Sequence, residues 1–296
     1  MKISRRNALA KIGTLAGTPA LLGISGSVWQ GDSPEKTKTD AKLKGRVQHS
    51  VCRWPYGSVS LEKLCEASVE MGIQSVEIVG PDEWPVLKEY GLTCAMPRYG
   101  DIGIENGFSN PELHERLIQS FKESIPKVAE AGYDKVICFS GNRNGMDDET
   151  GLRNCVEGIK PIIEIAEEYD VILTMELLNS KVNHPDYFCD KTAWGVELCD
   201  RIDSDHFKLL YDIYHMQVME GDIIQTIRDY HEYFSHYHTG GVPGRNEIDD
   251  TQELHYPAIM EAIVETGYKG FVGQEFVPTW SDPLAALKQS IEICDV

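Results

Sequence analysis

Glu176, Asp212, His238 and Glu275 each stand at the C-terminal end of a short apolar run that otherwise reads as buried parallel strand. The runs are VILTMELL (171–178), FKLLYDIYH (207–215), YFSHYHTGG (233–241) and GFVGQEFVP (270–278). Burying one carboxylate costs several kcal/mol unless it is paired or bound to a cation. Three carboxylates and an imidazole in matching places on four successive strands therefore imply a divalent ion. Oxygen-rich ligation with a single imidazole suits Mn2+ or Mg2+, with Co2+ and Zn2+ as further candidates. The spacings of 36, 26 and 37 residues are those of successive strand–helix units. Any one of these residues alone could be half of a buried ion pair; as a set they read as a metal site.

Two cationic or imidazole groups follow the ligands closely. His215 lies three residues after Asp212, expected in the loop beyond that strand, and Arg245 lies seven after His238 in GGVPGRNEID (240–249). Donors of this kind beside a metal suit an oxygen-rich substrate. The competing readings are a surface pair of Arg245 with Glu247 or Asp249, and a packed His215. His184 and Lys181, in LLNSKVNHPDY (177–187), are further candidates. Trp54 and Trp280 follow the first and last strand-like runs, where indole rings stack on sugar faces or simply pack.

The elements that must position these groups alternate regularly. Strand-like runs fall at 46–53, 74–80, 92–97 and 134–140, ahead of the four already quoted. Helix-like segments fall at 59–72, 83–90, 110–131, 150–169, 191–203, 219–232, 254–267 and 282–293. Ser60 and Gly72 bracket the first helix as start and stop signals, and Asn110 with Pro111 opens the third. This alternation implies parallel strands joined by right-handed helical crossovers. Eight such units across 46–296 predict a single (β/α)8 TIM barrel, whose active site forms at the C-terminal ends of the strands. A doubly wound open sheet would want a glycine-rich phosphate turn after its first strand, and VCRWPYG (51–57) is not one.

The chain of 296 residues is 42% hydrophobic and 25% charged, as expected of a globular protein. Residues 1–27 differ: Arg5-Arg6 precede a short Gly- and Ala-rich apolar run, the pattern of an export signal rather than a membrane span. SRRNALAK (4–11) resembles a twin-arginine signal, used for proteins exported folded, although Ala8 stands where Phe is usual. The competing readings are an ordinary secretory signal or an uncleaved anchor. Residues 28–45 lack apolar periodicity and read as a flexible linker. The expected location is therefore periplasmic, with no stable membrane span after signal removal.

The net charge of −19 becomes about −23 once Lys2, Arg5, Arg6 and Lys11 leave with the signal. Such a surface repels phosphate backbones, which argues against nucleic acid as a partner. A small sugar or hydroxy-keto acid is the expected ligand, and a homo-oligomer is compatible with the sequence. Eight cysteines include no C-x-x-C pair; buried free thiols are the preferred reading, with Cys189 and Cys199 the first pair to test for a bridge.

At these residues the chain resembles the sugar isomerase/epimerase superfamily of xylose isomerase-like TIM barrels, most of all hydroxypyruvate isomerase-like proteins, from about 46 to 294. The resemblance rests on HSVCRW (49–54), VEIVGPDEWPVLKEYGLTCAM (76–96), MELLNSKVNHPDY (175–187), YDIYHMQ (211–217), GGVPGRNEID (240–249) and GQEF (273–276). It implies a metal held by Glu176, Asp212, His238 and Glu275, with His215 and Arg245 orienting substrate oxygens. Hydroxypyruvate isomerases tend to carry Gln where this chain has His238, so the ligand set is of the ketose 3-epimerase type.

The implied activity is isomerisation or epimerisation of a small hydroxy-carbonyl compound or sugar. A divalent ion chelating the carbonyl and neighbouring hydroxyl stabilises an enediolate, while Glu176 and Glu275 exchange the proton. A metal-dependent lyase of 3-keto-glycosides would use the same site for proton removal followed by elimination. A non-catalytic sugar-binding barrel would not need two carboxylates on opposing strands. An apurinic endonuclease needs more histidine ligands and a basic groove.

Overall fold

A computed structural model describes residues 43–99 and 103–296. The expected signal and nearly all of the expected linker lie outside them. Leu43 packs against the core, and the Lys44 amide donates to Asp295 Oδ2 at 2.7 Å, so the last part of the linker span is docked on the C-terminal end of the chain.

Among the described residues, seven short parallel strands make one sheet: β1 (Gln48–Cys52), β2 (Ser75–Glu77), β3 (Lys135–Cys138), β4 (Ile172–Glu176), β5 (Phe207–Asp212), β6 (Phe234–Thr239) and β7 (Phe271–Gln274). The order is β2-β1-β7-β6-β5-β4-β3. The segment 92–98 curls between β2 and β3 and closes the ring. It is bonded to β2 through Val76 N to Thr93 O (3.1 Å) and Ile78 N to Met96 O (2.9 Å), and to β3 through Ile137 N to Pro97 O (3.2 Å). The strand expected at 92–97 is irregular because the Ser75 hydroxyl takes the Ala95 amide proton at 2.8 Å and Pro97 has no N–H to give. The result is a (β/α)8 TIM barrel.

The helices are α1 (Leu61–Met71), α2 (Trp84–Glu89), α3 (His114–Glu130), α4 (Asp148–Tyr169), α5 (Thr192–Ile202), α6 (Ile213–Met219), α7 (Ile223–Tyr230), α8 (Tyr256–Glu265) and α9 (Pro283–Cys294). Ser60 caps α1 by accepting from the Lys63 amide, and Gly72 ends it at φ 79°. Asn110 caps a single 3-10 turn, Pro111–Leu113, which leads into α3. One element was not expected: α7 falls within the helix expected over 219–232, but an additional helix, α6, begins directly after Asp212, so His215 sits in a helix rather than a loop. Asp212 itself caps α6, accepting from the His215 amide at 2.9 Å.

Side chains fill the barrel interior. Toward its N-terminal end, hydroxyl pairs satisfy one another, Ser50 with Ser75 at 2.8 Å and Thr174 with Ser235 at 3.0 Å. All eight cysteines are buried and free, including Cys189 and Cys199. Among the described residues no helix is long and apolar enough to cross a membrane.

Candidate functional site

The alternation of a strand decides which side chains enter the barrel. It turns Glu176, Asp212 and His238 inward from the last turns of β4, β5 and β6, and Glu275 follows β7 by one residue. One ligand atom from each of the four lies within 4.8 Å of the other three, and all four residues are buried. His238 Nδ1 stands 3.0 Å from Glu275 Oε2 and 3.4 Å from Glu176 Oε1.

Glu176 Oε1 and Asp212 Oδ2 are buried without a hydrogen-bond partner among the described residues, which a native interior avoids unless something else fills the gap. Converging orphan oxygens, two further oxygen donors and one imidazole nitrogen fit a hard divalent cation. Three carboxylates are balanced in charge by such an ion plus one guanidinium. Arg245 supplies that guanidinium, 2.5 Å from Glu275 Oε2 and 3.6 Å from Asp212 Oδ2. The surface pairing with Glu247 or Asp249 does not occur. Glu247 instead accepts the backbone amide of Trp280 at 2.8 Å and that of Thr279, tying down the loop after β7.

These contacts make the acids unequal. Burial, then the neighbouring Glu275 carboxylate, raises the pKa of Glu176. Burial drives Asp212 up to about 8, against the pull of Arg245 and with the help of Glu275 and Glu176. Burial also works to raise Glu275, but Arg245, His238 and the Trp54 indole hold it well below the usual carboxylate range.

His215 has a defined tautomer. The Asn179 backbone amide donates to its Nδ1 at 3.0 Å, so the ring proton resides on Nε2. That Nε2 lies 3.8 Å from Asp212 Oδ2 and has no hydrogen-bond partner among the described residues. Burial and Arg245 keep the ring neutral by lowering its pKa. His184 stands beside it, with ring centroids 5.3 Å apart. Trp54 begins a 3-10 turn after β1 and donates its indole N–H to Glu275 Oε1 at 2.7 Å, while Arg245 stacks 5.1 Å above the ring.

These groups open into a cavity of about 400 Å3, which Glu176, Glu275, Arg245, His184 and Trp54 border on one side. Ile78, Ile104, Ile137, Phe139 and Leu178 form an apolar wall, with Arg98 also on the lining. Two weaker candidates fall elsewhere. Lys181 donates to the carbonyls of Val218 and Met219 at the end of α6, and Trp280 does not line the cavity.

Sequence reasoning missed Glu77 and His236. Glu77, fully buried at the end of β2, lies 3.0 Å from His238 Nε2, and its two oxygens lie 3.1 and 3.0 Å from His236 Nε2. Burial would raise Glu77, but His236 and His238 hold it well below the usual range. The available signal was an acid inside the apolar run QSVEIVG (74–80) and a second histidine two before His238.

A closed parallel barrel with acids and a histidine at the C-terminal ends of its strands is the architecture of the xylose isomerase-like TIM barrels, and residues 65–295 match that family. The chain belongs to it. Hydroxypyruvate isomerase of Escherichia coli (strain K12) is 28% identical over 58% of this chain and 70% of that protein. D-psicose 3-epimerase of Enterocloster bolteae is 27% identical over 68% of this chain and 71% of that protein. Relatives of this kind place the chain among the isomerases. In fold alone it also matches an AP endonuclease, family 2, from Brucella melitensis, with TM-score 0.74, 22% identity, and coverage of 81% of this chain and 97% of that one.

Proposed function

We propose that this protein is a divalent-metal-dependent isomerase or epimerase of a sugar or small hydroxy-carbonyl compound, in which Glu176 and Glu275 move the proton. The observation that carries this reading is the meeting of four ligand-type atoms within 4.8 Å of one another at the strand ends, beside an open cavity. Glu176, Asp212, His238 and Glu275 would hold the ion, Mn2+ or Mg2+ by its oxygen-rich shell. When bound, it supplies the Lewis acidity that makes a proton next to a carbonyl removable.

The chain's own residues do the rest. Glu275, kept ionised by Arg245 and His238, is the base that takes the proton at an Oε atom. Glu176, whose pKa environment pushes the other way, delivers a proton to the neighbouring carbon or the opposite face. His215 offers its unpartnered Nε2–H to a substrate oxygen, and Arg245 and His184 complete the polar border. Trp54 holds Glu275 in line from the rim.

The size of the cavity and its apolar wall favour a substrate with a longer carbon chain than a three-carbon acid. The same wall supports a second reading, β-elimination from a 3-keto-glycoside, because it gives an aglycone somewhere to lie. The net charge of −19 speaks against nucleic acid as substrate.

The test is to incubate the purified protein and Mn2+ in D2O with a panel of keto-acids, ketoses and keto-glycosides. Deuterium entering the α-carbon is the expected result, and release of a free aglycone would select the elimination. Binding without exchange for every compound would leave a sugar-binding barrel. We also propose that residues 1–27 direct export to the periplasm by the twin-arginine route. Changing Arg5 and Arg6 together to Lys is expected to abolish export of a reporter fused to residues 1–45, and continued export would overturn the route.

A further inference from the structure

The imidazole of His238 is gripped on both edges. Its Nδ1 faces Glu275 and Glu176, at 3.0 and 3.4 Å, and its Nε2 faces Glu77 Oε1 at 3.0 Å. Glu77 is in turn held by His236 Nε2, and all three residues are fully buried. They come from strands far apart in the sheet, β2 on one side and β6 on the other, with β1 and β7 between them. The Glu77 carboxylate must therefore cross the barrel interior to reach His238. Gly273 on β7 gives it room: a Cβ there would stand 1.9 Å from Glu77 Oε1 and 2.9 Å from His238 Cδ2. Any side chain at 273 would expel the carboxylate.

We propose that Glu77, His236 and Gly273 form an internal brace that fixes His238 as an Nδ1 ligand. Glu77 accepts the Nε2 proton of His238, and His236 donates to Glu77 from the far side and holds the carboxylate in its slot. The opposite tautomer would aim the Nε2 lone pair at a carboxylate in a water-free interior and put a proton where the cation must bind. A neighbouring carboxylate that accepts the distal N–H of a ligating imidazole also makes that imidazole a stronger donor. This inference rests on the metal reading above and adds three positioning residues, none of which touches the cavity.

Calorimetric titration of the metal-free protein with Mn2+ tests it, with the unfolding midpoint recorded on the same samples. Glu77→Gln and Gly273→Ala are each expected to weaken Mn2+ binding by about 10–100-fold, the range seen when such outer partners are lost. A purely structural role would lower the midpoint and leave the affinity of the folded protein unchanged. The second readout is the 15N-histidine spectrum of the wild-type protein loaded with Zn2+, which needs no variant to fold. It is expected to show His238 protonated at Nε2 and ligated at Nδ1. Affinities within about twofold of wild type in both variants, or a proton found on His238 Nδ1, would overturn the brace. If the wild-type protein binds no Mn2+ at all, the metal reading falls first and takes the brace with it.

Discussion

The two sides of the cavity are built differently. On the β4–β7 side, regular parallel pairing runs right up to the strand ends, as in Asp212 opposite His238 and His238 opposite Gly273. The slip between β5 and β6, at Leu209 and Leu210, lies below the ligands and leaves them in register. The three carboxylates, His238 and Arg245 each end one of those strands or follow it closely. On the other side, Ile78, Ile137 and Phe139 project from the neighbourhood of β2 and β3, with the irregular 92–98 segment between them. Of the charged groups there, Arg98 lines the cavity and Glu77 serves the interior. The polar side needs fixed atoms because ligand geometry tolerates little error, whereas an apolar wall needs only volume and shape. The proposed function thus puts chemistry on one half of the mouth and substrate choice on the other.

The sharpest way to break that division is Glu275→Gln, which keeps the shape and an oxygen while removing the base. Deuterium exchange at the substrate α-carbon is expected to fall by at least about 10²-fold and to stay low in excess Mn2+. Asp212→Asn is expected to lose activity mainly through weaker metal binding, so raising Mn2+ recovers much of it. Equal rescue of both variants would show that Glu275 is only a ligand.

A smaller effect is expected from the apolar wall. Ile78→Gly removes a wall side chain worth about 1.5–3 kcal/mol when fully covered, so KM for a six-carbon substrate should rise by roughly tenfold. KM for a three-carbon hydroxy-keto acid should barely move. Ile78 also sits at φ 58°, a conformation that disfavours a β-branched residue by roughly 1–2 kcal/mol. Glycine relieves that strain while loosening the unfolded chain, so the unfolding midpoint should change little. Equal KM changes for both substrates would erase the assignment of specificity to this wall.

A further effect is one of pH. In the metal-free site Asp212 keeps its proton up to about pH 8, and a cation must displace it. Mn2+ affinity should therefore fall as pH drops below about 8, by up to tenfold per unit for a single proton, and level off above it. Calorimetry in buffers of different ionisation enthalpy counts the proton released. A flat profile between pH 6 and 8 would show that Asp212 is already ionised before the metal arrives.

The meeting of the four proposed ligands was legible in the sequence because an acid or imidazole at the end of an apolar strand is too costly to bury without a charge partner. Their supports were not. Glu77 lies within a strand run, where an inward-facing acid cannot be told from an outward-facing one without the closed barrel. Its two histidine partners are 159 and 161 residues away. The start of α6 was hidden for a different reason: FKLLYDIYHMQ (207–217) is one apolar run, equally acceptable as strand or helix, and only the capping geometry of Asp212 shows where one becomes the other. The missing regularity at 92–98 comes from a side chain, Ser75, taking over a ladder bond, which no periodicity reveals.

The closing segment has a consequence for how the molecule breathes. Between 92–98 and β3, among the described residues, a single backbone hydrogen bond, Ile137 N to Pro97 O, spans the junction, whereas β5 and β6 stay paired through to Asp212 and His238. Amide protons at that junction should trade with solvent deuterium well before those of β4–β7, because opening there breaks little else. The barrel then has a hinge side and a clamp side, and the wall proposed to select the substrate lies on the hinge side.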